Sequence, residues 1–211
     1  MDANQDRFRN PFDMDEECTN CSALCESREQ VVHGYGDVGA EFLFVGEMPS
    51  AGADERGVPF SGDEGEHRLR YVLRELGFAR SPADADELDL QNAYLTYLTR
   101  CRHPDRGPTD EEVRNCDAFL TAELRMINPE IIVPIGQRVL EALAVEYTTR
   151  RPDSFDAAAE HATTIRGRGF ELVPMRALDD QTDDETEAFV DHVASEVLGR
   201  DYRQTKGRRS R

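Results

Sequence analysis

Lysine and long apolar runs are scarce in this chain of 211 residues. No apolar run is long enough to cross a bilayer, and the first 17 residues are too acidic and polar for a secretory signal. We therefore expect neither a membrane-spanning nor an exported protein, but a cytoplasmic one with no membrane partner. Lys206 is the only lysine among 25 basic residues, against 43 acidic ones, which gives a formal net charge of −18.

This acidic excess limits both the solvent and the partners. At about 1 M salt the screening length falls to about 3 Å, so carboxylates can crowd a surface without strong repulsion. The composition therefore predicts a halophilic cytoplasm. The same charge opposes a nucleic-acid partner, because phosphates are normally contacted by Lys and Arg, although a local basic cleft can lie on an acidic body.

Five cysteines are the main chemical signal. Cys18 and Cys21 are separated by two residues, and Cys101 and Cys116 lie far downstream. In a reducing cytoplasm cysteines are more naturally ligands than disulfides. Two thiolates one turn apart supply half a coordination shell, so a site completed by two more cysteines would hold an iron–sulfur cluster or zinc. Cys25 has no role in this pattern.

Short apolar runs alternate with helical patterns along the chain. The runs predict strands over residues 41–46, 93–99, 131–136 and 169–174, and helices over 66–76, from 109 onward, 137–145 and 186–198. Such alternation favours an α/β fold with a central, mainly parallel four-stranded sheet covered on both faces. We predict one domain over residues 18–199, after a flexible acidic lead-in (1–17) and before a basic tail (200–211).

Two loops that follow strands have unusual compositions, and in such a sheet ligands bind beyond the carboxyl ends of the strands. Residues 46–62 are dense in glycine and proline; Glu47 places a carboxylate at the strand tip and Phe60 offers a flat surface. An ordinary surface loop with a buried phenylalanine is the alternative. In residues 100–108, Arg100, Arg102 and Arg106 suit a phosphate backbone, or they neutralise nearby carboxylates.

Together these segments resemble the family-four uracil-DNA glycosylases in unbroken order over residues 15–175. The motifs that carry the resemblance are Cys18-Thr19-Asn20-Cys21, Phe44-Val45-Gly46-Glu47-Met48-Pro49, Gly57-Val58-Pro59-Phe60-Ser61-Gly62, Arg100-Cys101-Arg102-His103-Pro104 with Cys116, and Ile165-Arg166-Gly167. The resemblance implies a three-layer α/β/α sandwich and a 4Fe–4S cluster held by Cys18, Cys21, Cys101 and Cys116.

It also implies that a base is flipped out of DNA into a pocket at the strand ends, where water displaces it at C1′. By this likeness Gly46 and Glu47 line the pocket and help to place the water, and Phe60 stacks on the base. The three arginines are our own candidates for contacts to DNA phosphates. We expect a monomer that acts on DNA containing uracil or another deaminated or damaged base.

Several positions depart from the family pattern. Tyr97 stands where the family has an Asn that reads uracil, and a phenol cannot give the paired donor and acceptor of an amide. Ala177 and Leu178 replace a His-Pro, so the donor to the departing base is absent, a loss that typically costs about 100- to 1000-fold in rate. Met48 should narrow the mouth of the pocket. Arg176 precedes Ala177 by one residue, and its guanidinium is the candidate to replace the missing histidine as the group that stabilises the departing base. We predict a glycosylase of altered or reduced activity; a catalytically weak or inactive iron–sulfur DNA-binding protein is the alternative.

Overall fold

The computed structural model describes residues 7–62, 64–82, 85 and 87–200. A six-stranded sheet forms its centre, with strand order β1-β3-β2-β4-β6-β5. The strands are β1 Tyr35–Gly36, β2 Phe42–Gly46, β3 Ala93–Tyr97, β4 Ile131–Pro134, β5 Ile165–Arg166 and β6 Glu171–Leu172. The four inner strands are parallel, and the two edge strands β1 and β5 pair antiparallel with their neighbours.

The four predicted strands are the four inner ones, but the sheet has six strands, so its predicted size needs correction. Each edge strand is two residues long, too short to show a periodic pattern in the sequence. β6 is also shorter than predicted, and β3 ends at Tyr97, two residues early. Pro134 ends β4, as expected for a residue that has no N–H to donate to a ladder.

Helices cover both faces of the sheet. They are α1 Ser22–Ser27, α2 Ala51–Arg56, α3 Glu64–Glu75, α4 Asp110–Ile127, α5 Gln137–Tyr147 and α6 Asp183–His192, which continues as a π-helical segment Val193–Val197. The predicted capping box is present at the start of α4, where Thr109 and Glu112 satisfy each other's backbone N–H groups. A second one, Thr182 with Glu185, begins α6.

Alternate side chains of β2 enter two different cores. Phe42 and Phe44 pack with α3 and α6 on one face, whereas Leu43 and Val45 pack with α4 and α5 on the other. Every residue of β2, β3 and β4 is buried, as expected for inner strands of a parallel sheet. The three-layer α/β/α arrangement is confirmed.

The described part of the lead-in is packed against the sheet. Phe12 and Met14 are buried, the Phe12 ring lies 5.9 Å from the Tyr94 ring, and Arg9 forms a β-bridge with Tyr35. A flexible lead-in over residues 1–17 is therefore wrong for residues 9–14, because local charge concealed the apolar residues that anchor it. Residues 1–6 and 201–211, which include nearly all of the predicted basic tail, lie outside the described residues.

Among the described residues, no helix is both long enough and apolar enough to cross a membrane.

Candidate functional site

A cleft of about 730 Å³ opens at the carboxyl ends of the parallel strands. The segments that follow β2, β3, β4 and β6 all contribute to it, as expected for the ligand crevice of such a sheet. Of the sequence-predicted residues, the structure places Gly46, Glu47, Met48, Phe60, Tyr97 and Arg102 in its lining, together with Ala177 and Leu178.

The floor of the cleft is an aromatic pair. The ring centroids of Phe60 and Tyr97 are 4.7 Å apart with an interplanar angle of 31°, and the Phe60 backbone N–H donates to the Tyr97 hydroxyl at 2.7 Å. A Cβ on Gly46 would lie 2.7 Å from both rings, so this position of β2 accepts only glycine. Phe60 is 5% exposed and Tyr97 2%.

Glu47 forms the acidic wall of the cleft. Its side chain is 40% exposed, and Oε1 lies 3.8 Å from Nε of Arg138. Burial raises the pKa of this carboxyl above its ordinary value, and Arg138 opposes the rise. The Thr99 backbone N–H donates to the Glu47 carbonyl at 3.1 Å, which fixes the strand tip that carries the carboxylate. A half-buried carboxyl of raised pKa is suited to accept a proton.

Ala177 and Leu178 line the cleft next to Asp179 and Asp180, and neither of the first two has a side chain that can donate a hydrogen bond. Ala177 lies beside Gly136, where a Cβ would come 3.6 Å from the alanine Cβ. The prediction that Arg176 belongs to the base pocket needs correction. Its Nη1 pairs with Glu185 Oε1 at 2.6 Å, and the residue is not among those that line the cleft. Glu185 is held in place by the capping box of α6, and this carboxylate attracts the guanidinium.

The three arginines of the loop after β3 have different environments. Arg100 is 1% exposed and pairs with fully buried Glu123 at 2.7 Å, so its prediction as a phosphate contact is wrong. Arg106 forms a bidentate pair with Glu112, both bonds at 2.8 Å, which lowers the pKa of that carboxyl to about 2. Arg102 faces the cleft, and its buried Nε has no hydrogen-bond partner among the described residues.

The buried ion pair belongs to a larger polar network. Glu123 also accepts from the Thr96 hydroxyl at 2.6 Å and from the Gly34 N–H at 3.2 Å. Arg100 in turn donates to the carbonyl of Tyr97. The charge on Arg100 is therefore used inside the protein, as the alternative interpretation of this loop stated.

The four paired cysteines come from three parts of the fold and converge on one region. Cys18 and Cys21 precede α1 and pack with Cys101, which follows β3, while Cys116 lies on α4. Cys101 and Cys116 are buried, and burial raises the pKa of the Cys101 thiol to about 11, with Cys18 and Cys116 as nearby thiols adding to it. No disulfide joins the five cysteines.

Two side-chain donors point at these sulfurs. Arg28 Nη1 donates to Cys101 Sγ at 3.2 Å, and its Nη2 donates to the Cys18 carbonyl at 2.6 Å. Asn115 Nδ2 donates to Cys21 Sγ at 3.5 Å. Within the described ranges, no three His, Cys, Asp or Glu side chains are placed to hold a single metal ion.

A family model described as "Uracil DNA glycosylase superfamily" matches residues 33–190 of the chain. The chain belongs to this superfamily. Curated relatives include a Type-4 uracil-DNA glycosylase of Archaeoglobus fulgidus, 34% identical over 137 residues that make up 63% of each chain. One of Thermotoga maritima is 37% identical over 124 residues, 58% of each chain. A Type-5 uracil-DNA glycosylase of Thermus thermophilus is 34% identical over 155 residues, 64% of this chain and 70% of the relative.

The matched part of the chain spans between about half and two thirds of the length of most of these relatives. Tyr97 and Ala177, the positions at which the sequence is expected to depart from the family motifs, both line the cleft.

Sequence reasoning missed three residues of these sites. Arg138 lines the cleft two residues after the glycine that ends the third predicted strand, a position that the rule on strand ends could have identified. Arg28 and Asn115 contact the cysteine sulfurs; Arg28 lies in the segment that carries the family resemblance but was given no role, and nothing in the local sequence of Asn115 distinguishes it from a surface residue.

Proposed function

We propose that the protein is a DNA N-glycosylase that hydrolyses the bond between deoxyribose and uracil, or another deaminated or damaged base, flipped out of DNA. The observation that carries the proposal is the cleft itself. It brings Glu47 and Phe60, from two separate family motifs, to one space at the carboxyl ends of four parallel strands.

Glu47 is the residue that we assign to the water. In the reaction the water oxygen bonds to C1′, the bond from C1′ to the base nitrogen breaks, and the bonding electrons leave with the base. Glu47 accepts the water proton, and its raised pKa makes it a stronger base than an exposed carboxylate. Arg138, at 3.8 Å, favours the ionised form that can accept the proton.

The departing base lacks its usual donor. Ala177 provides no hydrogen bond to a developing anion, and the cations that line the cleft are Arg102 and Arg138. We therefore expect uracil excision about 100- to 1000-fold slower than with a preorganised donor at this position.

Contacts to DNA phosphates are assigned to Arg102, with Arg106 beside it. Arg102 lines the cleft, so its guanidinium lies where a phosphate of bound DNA would pass. Arg106 is 36% exposed and retains its carboxylate partner, which makes it the weaker contact. Because the rest of the protein is strongly acidic and repels phosphates, we expect DNA to contact this loop. Salt weakens such phosphate contacts steeply.

For the cysteine site we propose a 4Fe–4S cluster held by Cys18, Cys21, Cys101 and Cys116. Support comes from the packing of Cys18 and Cys21 with Cys101, from the burial of Cys101 and Cys116, and from Arg28 and Asn115, which supply N–H donors of the kind that stabilise thiolates. Zinc is the alternative.

The cluster, when bound, would link chain segments rather than supply a reaction step. It would tie the segment before α1 to the loop after β3 and to α4, and so fix the arginine loop beside the cleft. Arg28 and Asn115 would hold the sulfurs in position.

The remaining assignments follow from the composition. The net charge of −18 with one lysine suits a halophilic cytoplasm, and we propose a monomer with one glycosylase domain over residues 18–199 and a basic tail over 200–211. The apolar residues before Cys18 pack on this domain.

The test is a glycosylase assay at molar salt on single- and double-stranded oligonucleotides that carry uracil, hypoxanthine or another deaminated base. The wild-type protein should release at least one base, and Glu47→Ala should release it at least 100 times more slowly, about the size of a lost general base. Glu55→Gln, an exposed carboxylate on α2, is the matched control and should match the wild type. Release of no base, with DNA binding intact, would overturn the enzyme in favour of an inactive DNA-binding protein.

A further inference from the structure

The geometry points to Tyr97 as a specificity-determining residue that closes the slot in which a flipped uracil would stack on Phe60. This inference rests on the proposed function, because it concerns how a base enters the same cleft. It goes further in assigning the discrimination to one ring and in stating which substrate that ring disfavours.

Phe60 has no open face for a base to cover. Its ring is packed against the Tyr97 ring at a centroid distance of 4.7 Å, and the whole residue is 5% exposed. Stacking requires one face of an aromatic ring to be accessible to the base. In this structure the Tyr97 ring occupies that position.

The tyrosine ring is held on three sides. Its hydroxyl accepts the Phe60 N–H at 2.7 Å, its backbone carbonyl accepts from buried Arg100, and its ring edge lies against Gly46. Phe60 has a backbone φ of 54°, in the left-handed region that few non-glycine residues adopt. The hydrogen bond to Tyr97 therefore stabilises the backbone conformation that presents Phe60 to the cleft.

A uracil could reach Phe60 only if this hydrogen bond broke and the tyrosine ring moved out of the core. An amide at the same position would be shorter, would leave the ring volume empty and would expose Phe60. The native cleft therefore disfavours uracil stacked on Phe60, and a base that it accepts must bind without that stack, in the part of the cleft that Met48 and Leu178 also line.

The test measures binding without chemistry. The full-length protein is titrated at molar salt with oligonucleotides that carry either 2′-fluoro-2′-deoxyuridine, which resists hydrolysis, or a tetrahydrofuran abasic analogue. The ratio of the two dissociation constants reports the contribution of the base. For the wild type we expect a ratio near one, and for Tyr97→Ala and Tyr97→Asn a preference for the uracil analogue of about ten- to a hundredfold, the size of one base-on-aromatic stack.

Two further variants keep the test decisive. Tyr97→Phe retains the ring and should show no increased preference for the uracil analogue. Tyr71→Ala removes a tyrosine that is 41% exposed and outside the cleft, and it should match the wild type. If the alanine and asparagine variants fail to fold, Tyr97→Leu, a smaller apolar side chain, replaces them and should show a smaller gain.

A wild-type protein that prefers the uracil analogue tenfold or more, or a folded Tyr97→Asn protein with no gain, would overturn the inference. Neither result depends on base release. Failure of the glycosylase assay and failure of the Tyr97 inference are therefore distinguishable.

Discussion

The cysteine site and the cleft lie on either side of the loop after β3, and they differ in how closely they keep the superfamily pattern. All four cysteines of the pattern are present, and side-chain donors reach two of their sulfurs. By the resemblance of the sequence motifs, a phenol and a methyl group stand in the cleft where the family has an amide and an imidazole. The resemblance therefore holds at the cysteines and fails at two positions of the cleft.

One buried side chain connects the two regions. Arg100 precedes Cys101 in the chain, and its guanidinium bonds to Glu123 and to the carbonyl of Tyr97. Arg100 therefore contacts the cleft floor while it belongs to the cysteine loop, and the Thr99 hydroxyl, which donates to the Cys101 carbonyl at 3.1 Å, is a second contact in the same segment.

The largest expected effect comes from removing a cysteine. Cys101→Ala should abolish the broad visible absorption of a cluster and lower the unfolding temperature sharply, because three separate segments lose their common link. The measurement is absorbance and calorimetry on protein prepared without oxygen. Cys25→Ala is the matched control, since the Cys25 thiol is outside the proposed ligand set and donates to the Cys18 carbonyl, and this variant should stay coloured. A colourless wild-type preparation that contains zinc would contradict the cluster.

The second largest expected effect comes from breaking the ion pair between Arg100 and Glu123. Glu123→Gln removes the only carboxylate paired with buried Arg100 in the described structure and should cost about 3–5 kcal/mol in the free energy of unfolding, because it leaves an uncompensated buried charge. Urea unfolding at molar salt measures it. Glu111→Gln, an exposed carboxylate of the same helix, should change stability by less than about 0.5 kcal/mol. A loss below about 1 kcal/mol for Glu123→Gln would mean that the pair is not a critical link.

The same network shows where sequence reasoning succeeds and where it stops. The inner strands follow from apolar runs because a parallel strand is buried on both faces. The cleft follows from the strand order, since strand ends meet at one edge. Arg100 and Arg102 are two residues apart in one basic loop, yet one is buried and one lines the cleft. That difference depends on Glu123, which lies on a helix 23 residues away.

The third effect concerns the acidic wall of the cleft. Glu47→Gln should slow base release about 100-fold, the typical contribution of a general base. In the wild type, burial raises the pKa of Glu47, so the rate should increase with pH through a midpoint above that of an ordinary glutamate. The variant should lose this dependence. A wild-type rate that is flat across the same range would contradict the assignment of Glu47 as the base.

The pKa of Glu47 also has a consequence for stability with a definite sign. The folded protein binds this proton more tightly than the unfolded chain, so stability contributed by the protonated carboxyl is lost as pH rises through the raised pKa. Glu47→Gln should therefore be slightly more stable than the wild type above that pKa and gain nothing below it. The effect is small, because the side chain is 40% exposed.

The smallest expected effect tests whether residues around the cysteines change the reduction potential of the proposed cluster. Arg28→Gln removes the cationic donor to Cys101 Sγ. Hydrogen bonds to cluster sulfurs stabilise the reduced, more negative state, so the reduction potential should become more negative while the visible absorption remains. Spectroelectrochemical titration measures the shift. Arg74→Gln, exposed on α3, should leave the potential unchanged.

Arg28→Lys separates charge from geometry. Lysine keeps the positive charge but lacks the planar fork with which Arg28 reaches the sulfur of Cys101 and the carbonyl of Cys18 together. If the hydrogen bonds set the potential, lysine should restore only part of the shift. Full restoration would show that charge alone is sufficient, and an unchanged potential in both variants would mean that Arg28 acts only as a link between the two cysteine segments.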